Sequence, residues 1–183
     1  MLREENFILF FGRISKYKGL ETLITAESLL DRKLNAKFVI AGADSMGDKL
    51  ANYAKFIKNQ ENFTLINRSL SSREKAALFQ KAAIIVLPYN DASQSGMPLT
   101  AYEFRKPVIV THTGALPEYV MPGETGLIVP PRNPRALANA LTHLLISPSL
   151  RRKMGLIGFK KLRNEFSWKR IATKTRKVYD ASS

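Results

Sequence analysis

Cysteine is absent from this 183-residue chain, which excludes disulfides, thiolate zinc sites and cysteine nucleophiles and is compatible with a reducing cytoplasm. Histidine occurs only at His112 and His143, too few and too scattered for a ligand cluster, so no metal site is expected. No apolar run approaches the roughly 20 residues needed to cross a bilayer. Residues 1–6 also lack the hydrophobic core of a signal peptide, and a soluble, cytoplasmic chain is the expectation. Acids are scarce: 15 Asp and Glu stand against 29 Lys and Arg, for a formal net charge of +14. The last 33 residues hold eleven Lys or Arg against Glu165 and Asp180 alone, a local excess of +9. A cationic face of this kind suits nucleic acid, an anionic membrane or an acidic substrate. No recognised nucleic-acid motif and no basic stripe interleaved with aromatics accompanies it, so a peripheral membrane surface ranks above nucleic acid as a partner.

What the chain has in quantity is apolar residues, 45% of the total, enough for one domain with a sizeable core. Short β-rich runs occur at 7–11, 38–41, 63–66, 84–87, 108–110 and 127–129, each reading as a strand buried on both faces. Segments of helical periodicity lie between most of them, such as Leu20, Leu23, Ile24 and Leu30. The alternation predicts an α/β, Rossmann-like parallel sheet of about six strands covered on both faces by helices. Ser71 with Glu74 forms a candidate capping box, and Asn133-Pro134 puts a cap and a first-turn proline before the next helix. The chain closes in C-terminal helices. Trp168, Ile171, Ala172, Val178 and Tyr179 share one face of the last, set to pack on the same domain or a neighbour.

In open parallel sheets the ligand crevice lies beyond the carboxyl ends of the strands. The first run stops at Gly12-Arg13 and is followed by Lys18-Gly19. Glycine brings backbone close to a ligand, while Arg13 and Lys18 offer a planar fork and a point charge to one anion. Taken alone, the pattern fits an ordinary solvated turn equally well. A second group follows the fourth run: Ser95, Gly96, Pro98, Leu99, Thr100 and Glu103 sit where a loop becomes a helix. The free amides of Leu99 and Thr100 are set to meet a phosphate, and Glu103 can accept from paired hydroxyls such as those of ribose. An isolated glutamate in this place would more simply pair with Arg105 or Lys106, and Ser95 could serve only as a cap.

The order of Phe-Gly-Arg-Ile and Lys-Gly, then Gly96 to Glu103 with Lys106-Pro107-Val108-Ile109, then residues 113–118, then 123–130, resembles the C-terminal half of retaining GT-B glycosyltransferases of the family 4, or group 1, type. The likeness runs over roughly residues 7 to 180, and several motifs in the right order are far more specific than any one. It implies one nucleotide-sugar donor domain over 1–183, with the N-terminal acceptor-binding domain absent from this chain. By motif position Arg13 and Lys18 would hold the donor diphosphate, helped by Gly12, Gly96 and the amides near Leu99 and Thr100. Glu103 would take the ribose, Arg68 the base, and Glu118 a structural part. Arg13, Lys18 and Glu103 are thus the candidate catalytic residues, with UDP- or GDP-sugar as donor substrate and no cofactor or metal required.

Two positions depart from the family pattern: Ser95 stands where a first glutamate is usual, and Asp44 where a second glycine often follows Gly42. The implied reaction moves a sugar to an acceptor hydroxyl with retention, in cell-surface polysaccharide or glycolipid synthesis, and a lipid-linked acceptor would suit the basic face. The isolated chain is expected to bind donor without transfer. A non-catalytic nucleotide-sugar-binding module and a sugar-nucleotide epimerase of the same fold are the alternatives.

Overall fold

A computed structural model describes residues 7–45, 49–166 and 168–181. Six strands form one sheet: β1 (Phe7–Phe11), β2 (Lys37–Ala41), β3 (Phe63–Ile66), β4 (Ile84–Leu87), β5 (Val108–Thr111) and β6 (Gly126–Val129). All the pairings are parallel and the order is β3-β2-β1-β4-β5-β6. The chain thus starts in the middle, builds outward one way through β3, then returns to β4 and builds the other way. The reversal lies between β1 and β4, where loops leave in opposite directions and open a crevice. Every residue of β4 and β5 is buried, as are four of the five in β1. β3 and β6 are the edges. Their middle residues are only half-buried or exposed, so the expectation of burial on both faces fails there, because an edge strand has a neighbour on one side only.

The helices are α1 (Leu20–Glu27), α2 (Leu50–Ala54), α3 (Ser72–Lys81), α4 (Met97–Glu103), α5 (Leu116–Tyr119), α6 (Pro134–Leu145), α7 (Pro148–Glu165) and α8 (Trp168–Ala181). The crossover carrying α1 and that carrying α4 step along the sheet in opposite directions. Right-handed connections therefore put them on opposite faces. α1 packs with α6 on one face and α4 with α7 on the other. The Ser71 capping box is present in full, with Ser71 accepting from the Glu74 amide and Glu74 accepting from Ser71, and Asn133 accepts from the Ala136 amide ahead of α6. α1 stops earlier than the apolar spacing implies: Leu30 lies in the following turn and still packs on the core.

Two glycines set the crossing of α7 over α4. A side chain on Gly155 would overlap the Arg105 carbonyl, and one on Gly158 would enter the Tyr102 ring. α7 thus lies directly on the Tyr102 ring of α4 and on the backbone of the turn that follows it, which holds α4 in place. Tyr102 is buried with its hydroxyl bonded to Thr125 Oγ1 at 2.8 Å, and burial pushes that phenol up to about 12. Arg151, also buried, donates to the Leu144 and Leu145 carbonyls at 2.8 and 2.9 Å and so closes the end of α6. Among the described residues no helix is long and apolar enough to cross a membrane. On α8, Val178 and Tyr179 are exposed, and the side chains of Trp168 and Ile171 lie outside the described residues.

Candidate functional site

The site begins where β1 ends. The Gly12 amide donates to the Ala41 carbonyl at 3.0 Å and the Ile14 amide to the Ala43 carbonyl at 2.9 Å, so the first two strand ends continue side by side past the sheet. Both turn at glycines with positive φ, 144° at Gly12 and 152° at Gly42, and a side chain on Gly42 would overlap the Gly12 carbonyl. Ile14 is fully buried, which leaves Arg13 on the outer, exposed side of the rim. Asp44, the departure from the expected glycine, ties this turn down: its carboxylate accepts from the Leu50 amide at 2.8 Å and from Asn67 Nδ2 at 3.0 Å.

A single 3-10 turn, residues 16–18, then folds the chain back to Gly19, which takes φ 65° and whose missing side chain would overlap the Pro88 carbonyl. The Asn90 amide donates to the Tyr17 carbonyl at 2.6 Å. These contacts hold the turn against the end of β4 and send Lys18 inward. Lys18 is only 8% exposed, its ammonium donates to the Tyr89 hydroxyl at 2.8 Å, and a Cβ on Gly12 would stand 3.3 Å from its Nζ. The same ammonium lies 4.2 Å from the centre of the Tyr89 ring and 5.4 Å from that of Tyr17. Burial pushes the Lys18 pKa down, the Tyr17 hydroxyl pulls it back, and the charge of Arg13 pushes it further down. Tyr89 in turn bonds Ser95, which also accepts from the Met97 amide at 3.3 Å.

The structure therefore gathers Gly12, Arg13, Lys18, Ser95 and Gly96 on one rim. Gly96 caps α4 with an ordinary φ of −76° and nothing within 4 Å of where a side chain would start, so the space above it is open. The amide of Thr100 is not free as expected: it closes the first turn of α4 on the Gly96 carbonyl at 3.1 Å, and the Thr100 hydroxyl bonds that same oxygen at 3.3 Å. Leu99 has no such bond among the described residues. α4 is seven residues long and runs from the rim back toward the amino edge of the sheet. Glu103 at its last position is thus about 9 Å below Met97, given a rise of about 1.5 Å per residue, and exposed on the side away from buried Ala101 and Tyr102. It is not brought to the cluster. Glu118 is exposed on α5, and among the described residues no amide donates to it.

Arg68 does reach the rim. It shares a cavity of about 560 Å³ with Gly12, Arg13, Gly42, Asp44 and Leu70, between the ends of β1, β2 and β3. Its guanidinium is held at 2.6 Å by Glu74, and this bond, with those from Ser71, brings the Glu74 carboxyl down from 4.5 to about 2. A depressed carboxyl contributes above its unfolded pKa and loses that contribution as pH falls through the folded value. An NMR titration should therefore find Glu74 ionised until about pH 2, and Arg68→Ala should raise its midpoint by roughly one unit, since the strongest of its bonds is removed. Among the described residues no three His, Cys, Asp or Glu side chains come together as metal ligands.

The sequence places Tyr89 at the mouth of the sheet, two residues past a fully buried strand, but gives it no role, and Tyr17 carries no signal, because nothing local says which way a 3-10 turn faces; together they make the walls around Lys18.

The chain is similar to known proteins in sequence and in fold. An uncharacterized glycosyltransferase of Methanocaldococcus jannaschii is 30% identical over 179 residues, covering 97% of this chain and 49% of that protein. Sucrose-phosphate synthase of Thermosynechococcus elongatus superposes with a TM-score of 0.85 at 25% identity, over 98% of this chain and 46% of that one. Anabaena HepE, solved in complex with UDP, superposes with a TM-score of 0.85 at 15% identity, over 97% of this chain and 49% of that one, and shows the shared fold. The chain spans about half the length of the curated relatives it matches. The sequence profile described as "Glycosyl transferases group 1" matches residues 2–161, and the chain belongs to that family.

Proposed function

We propose that this chain is the donor-binding half of a glycosyltransferase, taking a nucleoside-diphosphate sugar on the rim formed by Gly12, Arg13, Lys18 and Gly96 and giving the sugar to an acceptor hydroxyl held by another domain. The observation that carries the reading is Lys18: a buried ammonium held only by phenols and beside a second cation, with no carboxylate in contact among the described residues. A cation left uncompensated in this way is preorganised for an anion. The diphosphate supplies that charge, and the base falls to the Arg68 cavity two strands away. HepE, solved with UDP, has the same fold, which supports a nucleotide ligand for this half.

In the transfer step the bond from the anomeric carbon to the diphosphate breaks, the sugar joins the acceptor oxygen with retention, and the acceptor proton goes to the departing phosphate. Arg13 and Lys18 stabilise the negative charge as it grows on the leaving group. On this reading the two side-chain cations do the work of a divalent ion, and EDTA leaves affinity unchanged. The ribose contact falls to Glu103 by motif alone, since α4 carries it about 9 Å below the rim, and to the first turn of α4 by position. The basic C-terminal helices suit an acceptor at an anionic membrane surface, in polysaccharide or glycolipid synthesis. This chain, being about half of its relatives' length, binds donor without transferring it.

Calorimetric titration with UDP, GDP and ADP, their sugars and the free nucleosides tests the site. Arg13→Ala should weaken diphosphate binding about tenfold, the loss of one exposed charge-assisted bond of about 1.5 kcal/mol, and leave nucleoside binding nearly unchanged. Glu103→Ala should weaken both if it reads the ribose. Undiminished diphosphate binding in Arg13→Ala sinks the clamp, and transfer by the purified chain sinks the claim that it only binds.

A further inference from the structure

The chain of bonds around Lys18 has a direction. Lys18 Nζ can only donate, so at 2.8 Å the Tyr89 oxygen accepts from it. The Tyr89 and Ser95 hydroxyls are hydrogen-bonded as well, and against the burial that raises the Tyr89 pKa that bond pulls it down, as one donated to the phenol oxygen does. Ser95 Oγ also accepts from the Met97 amide at 3.3 Å.

We infer that Tyr89 is a positioning residue of the diphosphate site, a neutral partner that holds Lys18 charged beneath the Gly12 turn without neutralising it. The inference rests on the donor-site reading above. A carboxylate in the place of Ser95 would do the reverse, compensating Lys18 before any ligand arrived. The charged and titratable groups facing Lys18 are Arg13 and Tyr17 on its own segment and Tyr89 from the end of β4.

Anion binding favours the protonated ammonium, so affinity must fall as pH rises through the lowered Lys18 pKa, with a limiting slope of about tenfold per pH unit, and binding there must take up a proton. Phosphate groups have their last pKa near 6, so above about pH 7.5 the diphosphate itself no longer titrates, and the uracil imide, which does, contributes equally to the parent and the variants. Tyr89→Phe keeps the ring under the cation and removes only the acceptor oxygen. Lys18 then loses a bond to its charged form, its pKa drops further, and the alkaline fall in UDP affinity should begin at lower pH. Ser95→Glu should move that fall to higher pH while weakening UDP binding at neutral pH by like-charge repulsion.

The experiment is UDP calorimetry between about pH 7.5 and 9.5, in two buffers of different ionisation enthalpy, on the parent chain and both variants, with circular dichroism to confirm folding. Opposite displacements of the two profiles, with proton uptake in the parent, are the expected result. A Tyr89→Phe profile parallel to the parent's makes Tyr89 a packing residue and overturns the inference while leaving the donor site standing. A parent chain that binds no diphosphate at any pH overturns the donor-site reading itself.

Discussion

Lys18→Met is expected to lose about two orders of magnitude in affinity for a nucleoside diphosphate while melting no lower than the parent. Both halves follow from the same surroundings. A buried hydrogen bond between charged groups is worth up to about 3 kcal/mol, which is more than a hundredfold in Kd. In the free protein that ammonium is a liability, because burial penalises its charge and no acid among the described residues repays it. Methionine keeps the unbranched stem against Tyr17 and Tyr89 and removes the charge. The thermal midpoint, followed without ligand, should hold or rise, whereas the gain in midpoint on adding UDP should vanish. A drop of several degrees in the free variant would mean that the ammonium's bonds to the tyrosines stabilise the fold, and that the cation is there for structure.

Gly114→Val should do the opposite, costing stability first and binding as a consequence. Gly114 turns the chain after β5 with φ 48°, and a Cβ there would overlap the Ala92 carbonyl. The Ala115 amide reaches the Ser93 carbonyl at 3.3 Å, so this turn and the loop leading to Ser95 lie backbone against backbone. A left-handed β-branched residue costs about 1–2 kcal/mol in conformation alone, and the overlap must be relieved by moving one loop, for a total of about 3 kcal/mol or more. For a chain of this size that is a fall of about 6–12 °C in Tm. Ser95 is carried by the displaced loop, so UDP affinity should fall as well. Gly96→Ala is the contrasting case: its φ is ordinary and the space around it empty, so the midpoint should stay within about 1 °C of the parent's. Any loss of UDP affinity there reports a ligand in that space.

The sheet was legible because a strand buried on both faces writes itself as an unbroken apolar run. Phe7–Phe11 and Ile84–Leu87 were readable to the residue for that reason. Ser71 with Glu74 and Asn133-Pro134 were readable because a cap is satisfied within four residues. Arg13 and Lys18 could be placed at the crevice, since a strand end is a topological position. The partner of Lys18 could not. Tyr89 is 71 positions away, and the two meet only because β1 and β4 are neighbours across the chain's long return. The depth of Glu103 was hidden for a related reason: α4 could be seen to start at Gly96, but not that it would run down the sheet away from the rim. An i, i+8 spacing from Ser95 says nothing about which end of the helix faces the ligand.

The seam between β1 and β4 carries a mechanical consequence. β1 is in register with β2 at five positions but with β4 at only two, Ile8 opposite Ile84 and Leu9 opposite Ile85. Lys18 hangs from the half of the sheet that holds β1, and Tyr89 and Ser95 from the half that holds β4. A ligand gripped by both therefore acts as a staple across the strand join with the fewest register pairs in the sheet. Shear of one half past the other, which the free chain resists with few paired residues, would have to stretch the ligand's own contacts. Amide hydrogens along Ile84–Leu87 should then exchange more slowly with nucleotide present, although the ligand touches none of them.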